Sequence, residues 1–273
     1  MTNESNRPCR VALGVEYDGA AFHGWQRQRD PNLPTVQAAV EKALAKIANH
    51  PINLVCAGRT DTGVHATGQV IHFDCAVDRG DKAWIRGSNS LLPPSVRITW
   101  ASSVATEFHA RFSALSRRYL YVIDDGAVES AIMAKRLTHT RLKLNIAAMH
   151  EAGQHLLGEQ DFSAFRAAGC QSRTPFRNVM HLRVLRHHRY IVLDIQANAF
   201  LQHMVRNIAG TLLEIGAGKR DPSWAKQLLA GRDRAAAAMT ASPHGLYLVA
   251  VEYPVEAGLA QGLLGPGFLQ PFP

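Results

Sequence analysis

The 273-residue chain contains no uninterrupted apolar run near the roughly 18 residues that span a bilayer, so no membrane partner is expected. Its first ten residues, MTNESNRPCR, are polar and lack the apolar core of a secretory leader. Cysteine is scarce and scattered. Cys9, Cys56, Cys75 and Cys170 form no C-x-x-C pair, which argues against a disulfide framework and against a zinc knuckle. The expectation is four buried thiols in a reducing cytoplasm. The common signatures of nucleotide and hydrolase chemistry are missing too. The Gly58…Gly63 pair runs on into Val64-His65 instead of Lys-Ser/Thr, and there is no G-x-G-x-x-G, G-x-S-x-G or H-E-x-x-H. The 13 histidines are dispersed, with the His187-His188 pair in an expected turn, so no metal site is expected.

What is present is a globular composition, 47% hydrophobic and 19% charged, in a length suited to one large domain or two smaller ones. The formal charge of +8 is unevenly distributed. Residues 1–110 balance to +1, residues 190–273 to zero, and residues 111–189 carry +7. Such a block suits a polyanion-binding face, and equally a solvated surface that keeps the protein in solution.

Strand-like runs alternate with helical stripes in two halves that resemble each other in plan. In the first, Arg10–Tyr17 reads as a strand and Asp18–Gly24 as a turn. Thr35 N-caps a helix with Val36, Val40, Ala43, Leu44 and Ile47 on one face. Strands are expected at Ile52–Cys56 and Gln69–Phe73 around a long Gly58–Gly68 loop, then a helix over Asp81–Leu91 and a strand at Val96–Val104. In the second, Arg117–Asp124 is a strand and Asn145 caps a helix over Ile146–Leu157. Val179–Leu185 and Tyr190–Asn198 form a hairpin, and Phe200–Ile215 a helix with Leu201, Val205, Ile208, Leu212 and Ile215 as its stripe. Asp221-Pro222 opens a short helix, Leu246–Tyr253 is the closing strand, and the Gly/Pro-rich tail beyond is expected to be loosely held. The pattern predicts an α+β fold with a mainly antiparallel sheet. The expected domains are an N-terminal half, 10–107, with the functional loop, a basic C-terminal half, 108–253, and a tail, 254–273.

The segment AGRTDTGVHATGQVIHF (57–73) draws the eye because a charged cluster, Arg59-Thr60-Asp61, directly follows a buried strand and is framed by Gly58, Gly63 and Gly68. The plain alternative makes Asp61 a turn residue bonded to its own backbone, with the glycines supplying positive φ. Asp61-Thr62-Gly63 is also the triplet of aspartic proteases. Those enzymes need two carboxylates sharing a proton, whereas this chain has one D-T-G, and an arginine two residues away favours a permanently ionised carboxylate. A non-catalytic RNA-binding module is a further alternative; it would need no reactive aspartate.

Together with GVEYDGAAFHGWQRQ (14–28), FHARFSALSRRYLYVI (108–123), DFSAFRA (161–167) and NAFLQHMVRNIAG (198–210), residues 58–73 resemble the tRNA pseudouridine synthase A family. The resemblance extends from about residue 10 to 253. It implies the pseudouridine synthase fold, with two similar α/β halves joined through a central, mainly antiparallel sheet. It also implies isomerisation of uridines at positions 38, 39 and 40 of the tRNA anticodon stem-loop, no cofactor or metal, a homodimer and a cytoplasmic location. The reaction breaks the C1′–N1 bond, turns the uracil and joins C5 to C1′. An ionised carboxylate is needed to attack C1′, to add to the uracil ring or to take a proton from C2′. Asp61 matches the family aspartate. Arg59 matches the arginine that occupies the space of the extruded base, a role suited to a planar cation. Tyr119 matches the tyrosine that packs on the target base, although a strand tyrosine is ordinarily core. Arg206 matches the cation paired with the aspartate, and Leu246, more weakly, a pocket-lining residue. Arg111, Arg117, Arg118, Arg166, Arg173 and Arg177 are the candidates for tracking phosphates.

Overall fold

β-branched and aromatic runs become strands, and the 3.6-residue stripes become helices, in a computed structural model that describes residues 9–259, 262 and 264–273. The chain runs β1 (Cys9–Tyr17), α1 (Val36–Ala48), β2 (Val55–Cys56), β3 (His65–Cys75), a short α2 (Ser88–Leu91) and β4 (Val96–Val104). Next come β5 (Ser116–Asp124), β6 (Thr138–His139), α3 (Ile146–Gln154), β7 (Gly158–Asp161), β8 (Phe176–His187) and β9 (Tyr190–Ala197). The last elements are α4 (Met204–Gly216), α5 (Trp224–Gly231) and β10 (Leu246–Glu252). Strand pairing is mainly antiparallel, with β6 parallel to β5, and the helices are few: the α+β class expected from sequence. No helix among the described residues is long and apolar enough to cross a membrane.

Two compact units form. One is built from residues up to Leu115 together with Leu248–Pro266, the other from Ser116–Tyr247 together with Gly267–Pro273. In the first unit the strands lie in the order β4-β1-β3-β10, with β2 on β3. Helix α1 starts where the Thr35 hydroxyl accepts the Ala38 amide and stops at Asn49, whose φ of 60° turns the chain out. Its Val36, Val40, Ala43 and Leu44 are buried. A second apolar cluster holds Ala12, Ala57, Val70, Phe108 and Ala110, with Tyr253 packed on it. His72, 4% exposed, is tied into this region because its Nδ1 accepts the Ala110 amide at 3.0 Å. Burial, helped by the charge of Arg10, pushes its imidazole down to about 4.

In the second unit the order is β5-β9-β8-β7, with β6 on β5. α3 and α4 approach each other closely: a Cβ at Gly216 would lie 2.6 Å from the Met149 sulfur. The stripe Leu201, Val205, Ile208, Leu212 and Ile215 is buried as expected. The helix itself starts only at Met204, because His203 takes a left-handed φ of 61°. α5 likewise starts at Trp224, after an Asp221 side chain has capped a preceding turn.

Three further expectations need correction. The long loop 58–68 is shorter than expected because β3 begins at His65. Cys56 and Cys75 are buried, but Cys9 and Cys170 are half-buried; Cys9 and Cys75 face each other across β1 and β3 with sulfurs 2.7 Å apart. The tail from Gly267 is not loose. Leu269 is fully buried, its carbonyl bonds the His187 ring at 2.8 Å, and Phe268 stands edge-on to Tyr190 and Tyr247. Residues 260, 261 and 263 of the expected tail lie outside the described residues.

Truncating Leu269 to alanine should therefore cost about 2–5 kcal/mol in urea unfolding, where a loose tail would cost nothing measurable. His72 gives a pH signature. Its unfolded value is 6.5 against about 4 folded, so the unfolded chain binds more protons between the two. Its contribution is complete above pH 6.5 and is lost as pH falls toward 4. His72→Asn, which keeps an acceptor near the Nδ1 position, should flatten the pH dependence of the urea midpoint across that window.

Candidate active site

The turn between β2 and β3 carries the Arg59-Thr60-Asp61 cluster. Thr60 is buried, Arg59 exposed and Asp61 half-buried, so the middle residue of the three faces the interior. Thr60 is held twice. Its hydroxyl bonds the Tyr17 hydroxyl at 2.8 Å, and its carbonyl accepts the Trp25 amide at 3.0 Å. Gln69 on β3 has no exposed surface. Its Nε2 donates to the Gly58 carbonyl at 2.6 Å and to the Tyr17 hydroxyl at 3.4 Å, and its Oε1 accepts the Gly58 amide at 3.4 Å. On the far side the Asp61 carbonyl accepts the Val64 amide at 3.1 Å, closing a turn through Gly63 at φ 79°. Asp61 thus sits between two fixed backbone points.

The glycines around the turn differ in purpose. Gly63 supplies the positive φ, whereas Gly68 is needed for close approach, since a Cβ there would stand 2.1 Å from the Val249 carbonyl oxygen. Gly24 serves both ends: φ is 85°, and a Cβ would meet the Thr60 carbonyl oxygen at 2.9 Å. Sequence reading passed over Gln69, Tyr17, Thr60 and Gly24 as supports of the turn. The available signal was Gln69 itself, a carboxamide directly before the apolar pair Val70-Ile71.

Of the other candidates, Arg111 is exposed and belongs to the same unit as Asp61 and Arg59. The second unit holds Tyr119, Arg117, Arg118, Arg166, Arg173, Arg206 and Leu246. Tyr119 is buried on β5, edge-on to Phe200 with ring centres 5.1 Å apart. Arg206 follows Val205 on α4, half-buried, and its Nε donates to the Ala241 carbonyl at 2.9 Å while its own carbonyl accepts the Ala241 amide. The 239–242 loop can lie on α4 because Gly210 leaves room, a Cβ there falling 2.1 Å from the Met239 oxygen. Asn207, fully buried, locks the same place by donating to Phe165 and accepting from Arg234 and Thr240. The neighbouring Tyr121 hydroxyl donates to Ser242, and burial pushes it up to about 12 against the opposing influence of Thr138 and Arg206. Leu246 is buried at the start of β10.

The basic candidates divide by what their guanidinium groups already hold. Arg118 grips the fully buried Asp194 through Nε and Nη2 at 2.7 and 2.6 Å, with His181 on the same carboxylate at 2.9 Å. Arg117 is buried and donates to the Asn198 carbonyl. Arg166 spans its own loop to the carbonyls of Cys170 and Ser172, and Arg177 bonds the Ser172 hydroxyl. Arg173 is exposed.

A family model described as tRNA pseudouridine synthase matches residues 14–113 and 152–254. The first stretch contains Arg59, Asp61 and Arg111, and the second Arg166, Arg173, Arg206 and Leu246; Tyr119, Arg117 and Arg118 fall between them. The chain is 54% identical over 260 residues to tRNA pseudouridine synthase A of Vibrio cholerae, covering 95% of this chain and 98% of that protein. It is 53% identical over 269 residues to the protein of the same name from Pectobacterium atrosepticum, covering 98% and 94%. Among solved structures, the archaeal box H/ACA sRNP Nop10-Cbf5 complex aligns over 74% of this chain and 44% of that one. The identity is 14% and the TM-score 0.32, a distant likeness.

Gln69→Ala should orphan both polar groups of Gly58 and lower stability by about 1–3 kcal/mol in urea unfolding. Gln69→Glu, which retains the acceptor but loses the donor, should cost at least as much at neutral pH, because it buries a charge against the Gly58 carbonyl.

Proposed function

The chain belongs to the tRNA pseudouridine synthase family, and from that premise we propose that it converts uridines 38, 39 and 40 of the tRNA anticodon stem-loop to pseudouridine, with Asp61 as the reacting carboxylate. The observation that carries this reading is the near-full-length identity to relatives of that name, in a family match whose first stretch spans the Asp61 turn. The product has the same atoms as the substrate. The C1′–N1 bond breaks, C5 bonds C1′, the C5 proton passes to solvent and N1 gains one. The chemistry asks of the protein a positioned carboxylate and a space for the turned base.

The fold supports those needs in specific ways. Bonds at Gly58, Thr60 and Val64 hold the Asp61 backbone, so its carboxylate has only side-chain freedom to lose on meeting a ribose. Arg59, exposed two residues earlier, fills the gap left by the extruded base or contacts a phosphate. Resemblance gives Arg206 the stabilising cation and Tyr119 the face of the base. Arg206 is prepared for that role by the Ala241 bond, which fixes the plane of its guanidinium, and Tyr119 by the edge of Phe200. Exposed Arg111 and Arg173 contact phosphates directly, and Arg166 holds the shape of the loop that presents Arg173. The enzyme works in the cytoplasm as a homodimer, without cofactor or metal.

Incubation with tRNA transcript tritiated at uridine C5 should release label to water. Asp61→Asn should reduce release to the no-enzyme level while leaving tRNA affinity within about threefold. Release that survives in Asp61→Asn would remove Asp61 from its role, and no release by the wild-type protein from any tRNA would remove the function. Arg206→Lys keeps the charge but loses the planar fork and the Ala241 bond. It should lower kcat by tenfold or more with little change in KM; a raised KM with unchanged kcat would mean that Arg206 serves binding instead.

A further inference from the structure

Phe112 presents an aromatic ring to solvent that the fold has gone to some length to fix. It is 75% exposed. One face stacks on the His109 ring, with centres 4.3 Å apart and planes 25° from parallel. His109 in turn packs on the buried His72 at 4.8 Å, and His72 on Phe108, so a column of rings runs outward from the apolar cluster of the first unit. The backbone is folded around the middle ring. The amides of Arg111 and Phe112 both donate to His109 Nδ1, at 3.2 and 3.1 Å. The His109 amide donates to the Ser113 hydroxyl, and its carbonyl accepts the Ser113 amide.

These bonds also define the charge of the column. An imidazole nitrogen that accepts an amide N–H carries no proton, so both His109 and His72, whose Nδ1 atoms accept, are neutral rings protonated on Nε2. Burial lowers the affinity of both for a proton, in agreement. The outermost ring is therefore uncharged and backed by uncharged rings, and the Arg111 guanidinium carbon lies over it, 5.5 Å from the Phe112 ring centre.

We infer that Phe112 is a stacking platform for one unpaired base of the RNA substrate, with Arg111 taking the phosphate next to that base. The inference rests on the reading of the protein as a tRNA-modifying enzyme. A flat, immobilised ring flanked by a cation is how proteins hold single-stranded nucleic acid, since every base offers a π-face and stacking asks for no particular sequence. Fixing the ring before binding removes the cost of ordering it afterwards. That tolerance suits an enzyme that serves several neighbouring uridines in different tRNAs.

The test is fluorescence anisotropy of full-length protein on a labelled anticodon stem-loop, with Asp61→Asn as the common background so that turnover does not intervene. Phe112→Ala should weaken binding about tenfold. Its slope of log K against log salt should be unchanged, and a fully paired duplex of the same stem should show no loss. Phe112→Trp should bind within twofold of the parent. Arg111→Ala should reduce the salt slope by about one phosphate contact. An unchanged urea midpoint for Phe112→Ala would confirm that an exposed ring was removed without harm to the fold. The inference is overturned if Phe112→Ala loses less than twofold, if the loss is as great on the duplex, or if the variant sediments as a different oligomer, which would make the ring a protein contact. Absence of binding and of tritium release by the wild-type protein defeats the functional reading instead, so the two failures are distinguishable.

Discussion

A carboxamide buried to its last atom must find partners for a donor and an acceptor at once, and in this protein Gln69 finds them in the backbone of Gly58 and the hydroxyl of Tyr17. Much else in the first unit follows from that exchange. Gly58 is where the chain leaves β2, so tying both of its polar groups to β3 fixes the direction in which the next three residues run. Tyr17 passes the constraint to Thr60 through a 2.8 Å hydroxyl bond. Thr60 is then the anchored residue, and the charged residues on either side of it face the other way. Because these bonds lie in a dry interior, breaking one would orphan a group at a cost of about 1–3 kcal/mol. A loop held by such penalties behaves as part of the sheet, and a side chain it carries is as well placed as one on a strand.

The basic block read from sequence has a different meaning once its partners are visible. A charge count treats every arginine alike, but an arginine whose guanidinium already holds a buried carboxylate has less of its fork left for a phosphate. Arg118 on Asp194, Arg186 on Asp125 and Arg189 on Asp124 are in that position. Each neutralises an aspartate that is nearly or fully buried, and losing the cation would leave an uncompensated buried charge. These residues contribute to the long-range field yet work locally as structural braces. Arg111 and Arg173 differ from them in being exposed. The distinction between field and contact is invisible to arithmetic, because it depends on which carboxylates the fold buries.

Much of the architecture was legible in the sequence. The Thr35 and Asn145 caps, β4 and the stripe of α4 follow from periodicity and capping chemistry, which act over a few residues. The failures were non-local. His65–Gly68 looks like loop because it mixes glycine with polar residues, yet it is strand, since β1 lies alongside and Gly68 admits the Val249 carbonyl. The tail looks loose because glycine and proline are common in it, but Phe268 and Leu269 find a place against Tyr190, Tyr247 and His187 that no local rule could foresee. At the site the same division holds. The Arg59–Asp61 cluster was visible as a charged loop after a buried strand. The reaction proposed for it came from family resemblance, and its supports at Gln69, Tyr17 and Gly24 came from the structure.

One tension remains to be resolved by the protein's physics. On the proposed reading, the reaction of an anionic Asp61 side chain would proceed beside a polyanion, and phosphates repel a carboxylate as they repel one another. At physiological salt the repulsion reaches about 8 Å, so it bears on the last approach of the ribose and not on long-range encounter. A net charge of +8 answers the long-range problem by drawing the RNA in. The short-range problem needs cations adjacent to the carboxylate, and Arg59 is supplied by the same turn, separated from Asp61 by the anchored Thr60. Stacking at Phe112 would contribute affinity of a kind that carries no charge and does not weaken with salt. An enzyme that held its RNA by phosphates alone would surround its reactive anion with more of the substrate's own negative charge. Holding one base by its face allows tight binding with fewer phosphates brought close. On that view the neutral ring column and the charged turn are complementary answers to one electrostatic problem.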